Sequence, residues 1–380
     1  MNSLALYIHI PYCLEKCPYC DFHSIAVEKR EIPDLDYAQL LILQLKEEVE
    51  RLGLKNRPLV SIFFGGGTPS LMSKEFFEKI LAAIEGTSPS WGASPHPIEI
   101  TVETNPATAT KTDFQEWLKL GINRISFGVQ SFQEKFLRKL GRSHSSHEAV
   151  AAVQKAKEAG FINASLDLIF GIEGQTPDDL KKDLAMAISM GLPHISAYQL
   201  TVESGTPLDS WVKQKKFHLP PEEILISMHR LVTQTLEEAG LKRYEISNYA
   251  KPGHESNHNL QYWRYGDYLG IGSGAVSYVK NKRWRTTRKL KEYLKGNWGY
   301  EDEEKIDWKT ALKEKWMMGI RLTEGMLLDD ASRLWIPQFL NWEKEGILNL
   351  DANRVKLTEK GFLLANWVTQ NVFALIDQMC

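Results

Sequence analysis

Short, continuous apolar runs recur over roughly the first 200 residues: Leu4–Ile10, Leu59–Phe64, Ile98–Val102, Arg124–Val129, Ala164–Phe170 and His194–Leu200. Between them, near 36–52, 74–84, 111–120, 146–159 and 177–190, apolar positions return every three or four residues. That period belongs to helices with one buried face. An uninterrupted β-branched run suits a strand buried on both faces, as in a parallel sheet under a helical cover. Strand–helix repeats of this kind predict an α/β fold. A full eightfold barrel needs about 250 residues of repeat, and strand signals weaken after 200. The expected architecture is therefore a partial (β/α)6 TIM-like barrel.

Beyond a helical pattern near 222–239 the chain turns irregular and aromatic over 243–300. Helical patterns return at 308–319 and 334–345, followed by Ile347–Leu350, a hairpin turn at Asp351-Ala352-Asn353, and Val355–Leu357. Thr358 is placed to cap a last helix. This order predicts a smaller helical, winged-helix-like C-terminal domain, read as a cap on the barrel and not as a nucleic-acid reader. The expected division is 1–240 for the barrel, 241–300 for a connecting region and 301–380 for the tail.

Lys plus Arg total 46 and Asp plus Glu 48, for a net charge of −2. A bulk nucleic-acid binder is usually clearly basic, so none is expected as a partner. No apolar stretch approaches the roughly 20 residues of a membrane span. The start, MNSLALYIHIPYC, lacks the basic region and cleavage site of a signal peptide. A reducing, cytoplasmic setting is the expectation. Three of the four cysteines lie within eight residues, and clustered thiols in such a setting are metal ligands more often than disulfides.

Those three, Cys13, Cys17 and Cys20, follow the first strand with Cys-x3-Cys-x2-Cys spacing. Thiolates suit iron–sulfur clusters or zinc. A loop with three thiolates holds three irons of a 4Fe–4S cubane and leaves the fourth open to a small chelator. S-adenosylmethionine (SAM) fits that vacancy through its amino and carboxylate groups. The alternative is a zinc site completed by His9 or His23, although zinc sites favour paired two-residue spacings. Further chemistry-bearing residues sit at successive strand ends, where parallel βα folds build their sites. Gly65-Gly66-Gly67-Thr68-Pro69-Ser70 offers backbone amides without Cβ obstruction. Glu103 offers an acceptor for a ligand amine or ribose hydroxyl, and Gln130 follows on the next strand. Asp167, inside an apolar strand, needs a partner, for which Arg142 is the candidate.

These residues resemble the radical SAM family, and within it the group of HemN-type oxygen-independent coproporphyrinogen III oxidases and HemW-like haem chaperones. The resemblance spans nearly the whole chain and is most specific at Tyr7 to Phe22 and Gly65 to Ser70. It implies cluster ligation by Cys13, Cys17 and Cys20, and SAM contacts at Tyr7, Gly66, Gly67, Thr68 and Glu103. The family's further SAM-region positions fall on Gln130, Arg142 and Asp167. Two features set the chain apart from the oxidases: Phe22 stands where they carry another cysteine, and only six residues precede Tyr7. His258-Asn259-Leu260-Gln261-Tyr262-Trp263 matches the HNxxYW signature of the chaperones. There the resemblance ties His258 to haem, with His254 as the alternative ligand. Imidazole is a good axial ligand, and Tyr and Trp offer flat surfaces to a porphyrin.

The expected function is thus that of a haem chaperone with a 4Fe–4S cluster and SAM, passing haem to apoproteins. The resemblance implies respiratory enzymes as recipients, peripheral contact with the inner face of the membrane, and a homodimer. The competing expectation is coproporphyrinogen oxidation or another radical reaction on a tetrapyrrole. A basic run, Lys280, Lys282, Arg283, Arg285, Arg288 and Lys289, surrounds Trp284. It is read as a solvated face, with haem propionates or an anionic membrane as its other candidate partners. His144 and His147 are read as surface residues, and Tyr244 to Tyr249 carries no assigned role.

Overall fold

The computed structural model describes residues 3–88, 97–351 and 353–379. The hairpin tip at Ala352 lies outside the described residues. Six parallel strands, β1 (Leu4–Ile10), β2 (Leu59–Gly66), β3 (Glu99–Thr104), β4 (Arg124–Gln130), β5 (Asn163–Phe170) and β6 (His194–Gln199), form the centre of one large sheet. Each begins or ends within about two residues of its apolar run. In register, Leu6 lies beside Ile62, Phe64 beside Val102, Val102 beside Ile125, Phe127 beside Leu166 and Leu166 beside Ile195, all buried. Helices cover the outer face. Asp34–Leu52 buries Tyr37, Leu41, Leu45 and Val49 against it. Thr110, Ser145 and Thr176 start three further helices with reciprocal capping boxes to Asp113, Glu148 and Asp179.

The region from 241 to 300 differs from the irregular stretch expected. It adds strands to both edges of the sheet. β7 (Lys242–Arg243) and β8 (Asn248–Ala250) extend it beyond β6. β9 (Tyr268–Ile271) pairs in parallel with β1, and β10 (Val276–Val279), β11 (Lys282–Thr286) and β12 (Tyr300–Lys305) continue outward as an antiparallel meander. The final order is β12-β11-β10-β9-β1-β2-β3-β4-β5-β6-β8-β7. These strands escape a hydrophobic reading because β8, β9 and β10 are only three or four residues long and mix apolar residues with Asn248, Gly270 and Ser277, while β11 has one wet face. On β11, Trp284 and Thr286 are buried while Arg283 and Arg285 point to the other side, as the period of two requires. On β12, Asp302 to Glu304 form an exposed, acidic edge. Lys280 and Asn281, both at positive φ, make the tight turn between β10 and β11.

The tail holds a second core of Trp316, Phe339, Trp342, Val355, Val368, Val372 and Ile376. Helices Trp308–Gly319 and Ile336–Lys344 precede a sheet in which Arg354–Leu357 lies between Met326–Leu327 and Leu348–Asp351. Helix, helix and wing thus appear in the expected order. The last helix is split: Thr358 caps Glu359–Leu363, and Ala365–Asp377 follows. The tail meets the barrel through a Glu245–Leu322 bridge, the Arg264–Glu324 ion pair and Arg243 with Glu359.

Phe339 is fully buried against Trp316, ring centroids 5.7 Å apart. Phe339→Ala is expected to cost about 3–5 kcal/mol through the cavity it leaves. Urea unfolding followed by tryptophan fluorescence measures this, and a loss under about 1 kcal/mol would contradict the packing described.

Candidate functional site

The first strand runs into the cysteine loop. Tyr12–Cys13 pairs with Ile25–Ala26, pinning both ends of the loop. Ile25 donates to Pro11, Val27 to Cys13, and Cys20 to Cys17. The other wall comes from the end of β2. The amide of Gly67 donates to the Ile10 carbonyl at 2.7 Å and that of Thr68 to the Tyr12 carbonyl at 2.8 Å. A Cβ on Gly67 would stand 2.5 Å from the Tyr12 oxygen. Gly66 takes φ +111°, and a side chain there would strike the His9 ring. The glycines are therefore required by the approach of two backbones.

The three thiols face one cavity of about 180 Å³, together with Gly66, Gly67, Thr68, Glu103, Gln130, Arg142 and Asp167. Thr68 Oγ1 points to Cys13 Sγ and Arg142 Nη1 to Cys17 Sγ, each at 3.5 Å. Burial pushes the Cys13 thiol up, and that of Cys20 up to about 11. Such thiols ionise only if a cation takes the charge, as iron in a cluster does. The donor set therefore fits a cluster, with Arg142 as a nearby countercharge. It suits zinc less well. His9 Nδ1 is bonded to the Tyr7 hydroxyl and Nε2 to the His23 carbonyl, at 3.0 and 2.7 Å, while His23 Nε2 lies 3.3 Å from Ser273 Oγ.

Glu103 accepts from the Gly66 amide at 3.0 Å. Burial, reinforced by the neighbouring Asp167, pushes its carboxyl up to about 8. Asp167 is also raised by burial. Two desolvated carboxyls in one cavity favour a cationic ligand. Arg142 does not pair with Asp167 as expected. Its Nη2 donates to the Gly128 carbonyl at 2.8 Å, and Asp167 is held by Ser126 Oγ at 3.3 Å. The ion pair was legible only as two opposite charges; the cysteine loop captured the arginine first. Gln130 sits at φ +69° beside an irregularity in the β4–β5 register, a strained conformation for a non-glycine residue. His144 is buried, contrary to the surface position expected. Its Nε2 meets the Val129 carbonyl at 3.0 Å, and burial lowers its pKa to about 4.

A second cavity, about 1020 Å³, opens beside the first and shares Lys16 and Phe22 with it. Tyr7 faces this larger space, among Tyr262, Trp263, Tyr265, Tyr268 and Tyr278. The basic run is not a free cationic patch. Arg283 bonds Glu304 and Glu314 at 2.6 and 2.8 Å, and Arg285 bonds Asp302 at 2.6 Å.

His258 lies on a short helix, Asn257–Trp263, whose N-terminus is held by Glu99 through the amides of Asn257 and His258. The ring is buried and stacked on Phe63 at 4.8 Å. Nδ1 is bonded to Ser61 Oγ at 2.9 Å and Nε2 to the Tyr262 hydroxyl at 2.8 Å. Burial lowers its pKa to about 3, so both bonds are those of a neutral ring. A haem ligand was expected at this position; here both ring nitrogens are hydrogen-bonded within the protein. Glu99, Ser61 and Tyr244, which supports His194 at 2.9 Å, complete a polar interior that the sequence did not reveal. Single serines and a glutamate at strand starts carry no recognisable signal.

The fold and the three-thiol loop define a radical SAM protein, and the Radical SAM superfamily model matches residues 7–187. That class uses a 4Fe–4S cluster and SAM, for which the smaller cavity holds a suitable donor set. Heme chaperone HemW of Escherichia coli is 37% identical over 96% of this chain and 97% of its own length, and that of Bacillus subtilis is 33% identical over 96% and 97%. The Haemophilus influenzae protein of the same name is 42% identical over 81% of this chain and 80% of its own. Among solved structures, coproporphyrinogen III oxidase (HemN) from Escherichia coli superposes with TM-score 0.78 over 99% of this chain and 90% of that one, at 20% identity, a likeness of fold. The chain belongs to the HemW family of radical SAM proteins.

Two outcomes follow from the smaller cavity. Gly67→Ala, by pushing Tyr12 and the loop outward, is expected to at least halve the iron and labile sulfide held after anaerobic reconstitution; unchanged loading would contradict the backbone approach. Glu103 has a folded pKa of about 8, above the ordinary carboxyl value of 4.5, so the ligand-free chain keeps it protonated near neutrality. Its burial therefore costs stability increasingly as pH rises from the unfolded value through the folded one. Were SAM to place its amino group against this carboxyl, binding should release a proton. Affinity should climb from pH 6 to 8 and level off above. Calorimetry in two buffers of different ionisation heat measures that proton, and Glu103→Gln should abolish it.

Proposed function

We propose that this protein carries haem in the larger cavity and passes it to haem-requiring apoproteins, among them respiratory enzymes at the inner face of the membrane. The observation that carries the reading is the cavity itself. It is roomy for a ligand site, walled by aromatic rings suited to a flat macrocycle, and adjoins the cysteine loop through Lys16 and Phe22. Full-length similarity to proteins named Heme chaperone HemW supports it. Cysteines 13, 17 and 20 would hold the cluster. Gly66, Gly67, Thr68, Glu103, Gln130, Arg142 and Asp167 would surround SAM. The cluster and SAM supply redox chemistry that regulates haem transfer in this reading.

In this proposal His258 serves haem indirectly. Bonded to Ser61 and Tyr262, it fixes the helix that presents Tyr262 and Trp263 to the cavity. His258→Ala should lower thermal stability by about 2–4 kcal/mol, since it opens a cavity and strands two polar partners. It should weaken haem several-fold while leaving the Soret position and ligand-field bands of bound haem unchanged. A shifted or five-coordinate spectrum would instead make His258 the axial ligand. Titration of haem into the anaerobic, cluster-loaded protein tests the main reading. Saturable binding without conversion of coproporphyrinogen III supports it, and clear formation of protoporphyrinogen would replace it by the oxidase reading.

A further inference from the structure

The rim of the larger cavity carries charges that its aromatic walls do not explain. Arg283, Arg285 and Arg288 all line it. Strand alternation puts Arg283 and Arg285 on this face, while Trp284 between them is buried in the barrel core. Each arginine is met by the neighbouring acidic strand. Arg283 takes Glu304 at 2.6 Å, Arg285 takes Asp302 at 2.6 Å, and Arg288 lies 3.8 Å from Glu301. Glu314, from the tail helix, is a second partner of Arg283 at 2.8 Å. The partners on β12 are themselves exposed: the side chains of Glu304 and Asp302 are 49% and 67% accessible. Such pairs contribute little and exchange easily. Guanidinium groups match carboxylates in a two-pronged geometry that lysine cannot reproduce. The cavity also contains the acids Asp21 and Glu245, but Lys16 turns its ammonium to the carbonyls of Phe22 and Ser24. The arginine row is thus the rim's recognition element for an anion.

We infer that Arg283 and Arg285, with Arg288 beside them, receive the paired carboxylates of a planar ligand, and that Glu304 and Asp302 of β12 occupy Arg283 and Arg285 in its absence. The acidic strand acts as an internal competitor. It keeps the arginines extended over the cavity and sets a threshold that a ligand with carboxylates overcomes and a neutral one does not. This rests on the haem reading above and specifies which edge of the macrocycle is held. The strand β12 is at the margin of the sheet, so its carboxylates can withdraw without breaking the core.

The experiment compares ferric protoporphyrin IX with its dimethyl ester on the full-length protein, by absorbance titration and at two salt concentrations. Arg285→Gln should weaken the diacid about tenfold and leave the ester unchanged. Asp302→Asn with Glu304→Gln, both on an exposed strand, should tighten the diacid several-fold, again without affecting the ester. Melting curves and iron content establish that each variant is folded. Equal effects on both porphyrins, or none, overturn the inference while leaving the haem reading intact. Failure of the wild type to bind either porphyrin removes both. If Arg285→Gln instead loses sedimentation with phosphatidylserine vesicles at unchanged porphyrin affinity, the row belongs to a lipid surface and the inference falls.

Discussion

Two pieces of backbone approach each other closely where the first strand ends. The amides of Gly67 and Thr68 bond the carbonyls of Ile10 and Tyr12, and only glycine allows the contact at Gly67. This junction orients the loop of Cys13, Cys17 and Cys20 over the end of the barrel. It also puts the Gly66 amide on Glu103, so that the thiol loop and the carboxyl pocket are built as one object. Parallel βα geometry sends every strand end to the same mouth. The junction fixes which of those ends face each other.

Burial then decides the chemistry. Three thiols and two carboxyls are drawn into a space where charge is expensive, and all that carry a resolved shift move toward the neutral form. Such a site is poised for cations. The larger cavity next door is of the opposite kind. Its rings and arginines suit a flat anion, and its edge is provided by strands added outside the six-strand core. One sheet thus supports two adjacent sites, with Lys16 and Phe22 on the boundary.

The helix Asn257–Trp263 braces the larger cavity against the sheet. Glu99 anchors its start from the opening of β3, Ser61 holds His258 from β2, and Tyr262 reaches the larger cavity. A motif whose histidine reads as a ligand is in this structure a brace within the barrel. Its aromatic members face the space where a ligand would lie. The division of labour follows from the helical repeat, since residues four apart share a face and let His258 bond Tyr262 directly.

Much of this was written in the sequence. The continuous apolar runs announced the six parallel strands, because burial on both faces favours apolar residues at most positions. The cysteine spacing and the glycine run announced the site, because metal ligation and close backbone contact each admit few residue types. Other features were silent. The strands from Tyr268 to Lys305 are short and of mixed residues, so their pairing depends on neighbours distant in the chain. The burial of His258 and His144, the contact of Arg142 with Cys17 instead of Asp167, and the pairing of Arg283 and Arg285 with β12 were equally invisible. Each of these depends on which groups meet across the fold. Local sequence specifies what a residue can do; only the tertiary structure decides which partner reaches it first and how much water remains around it.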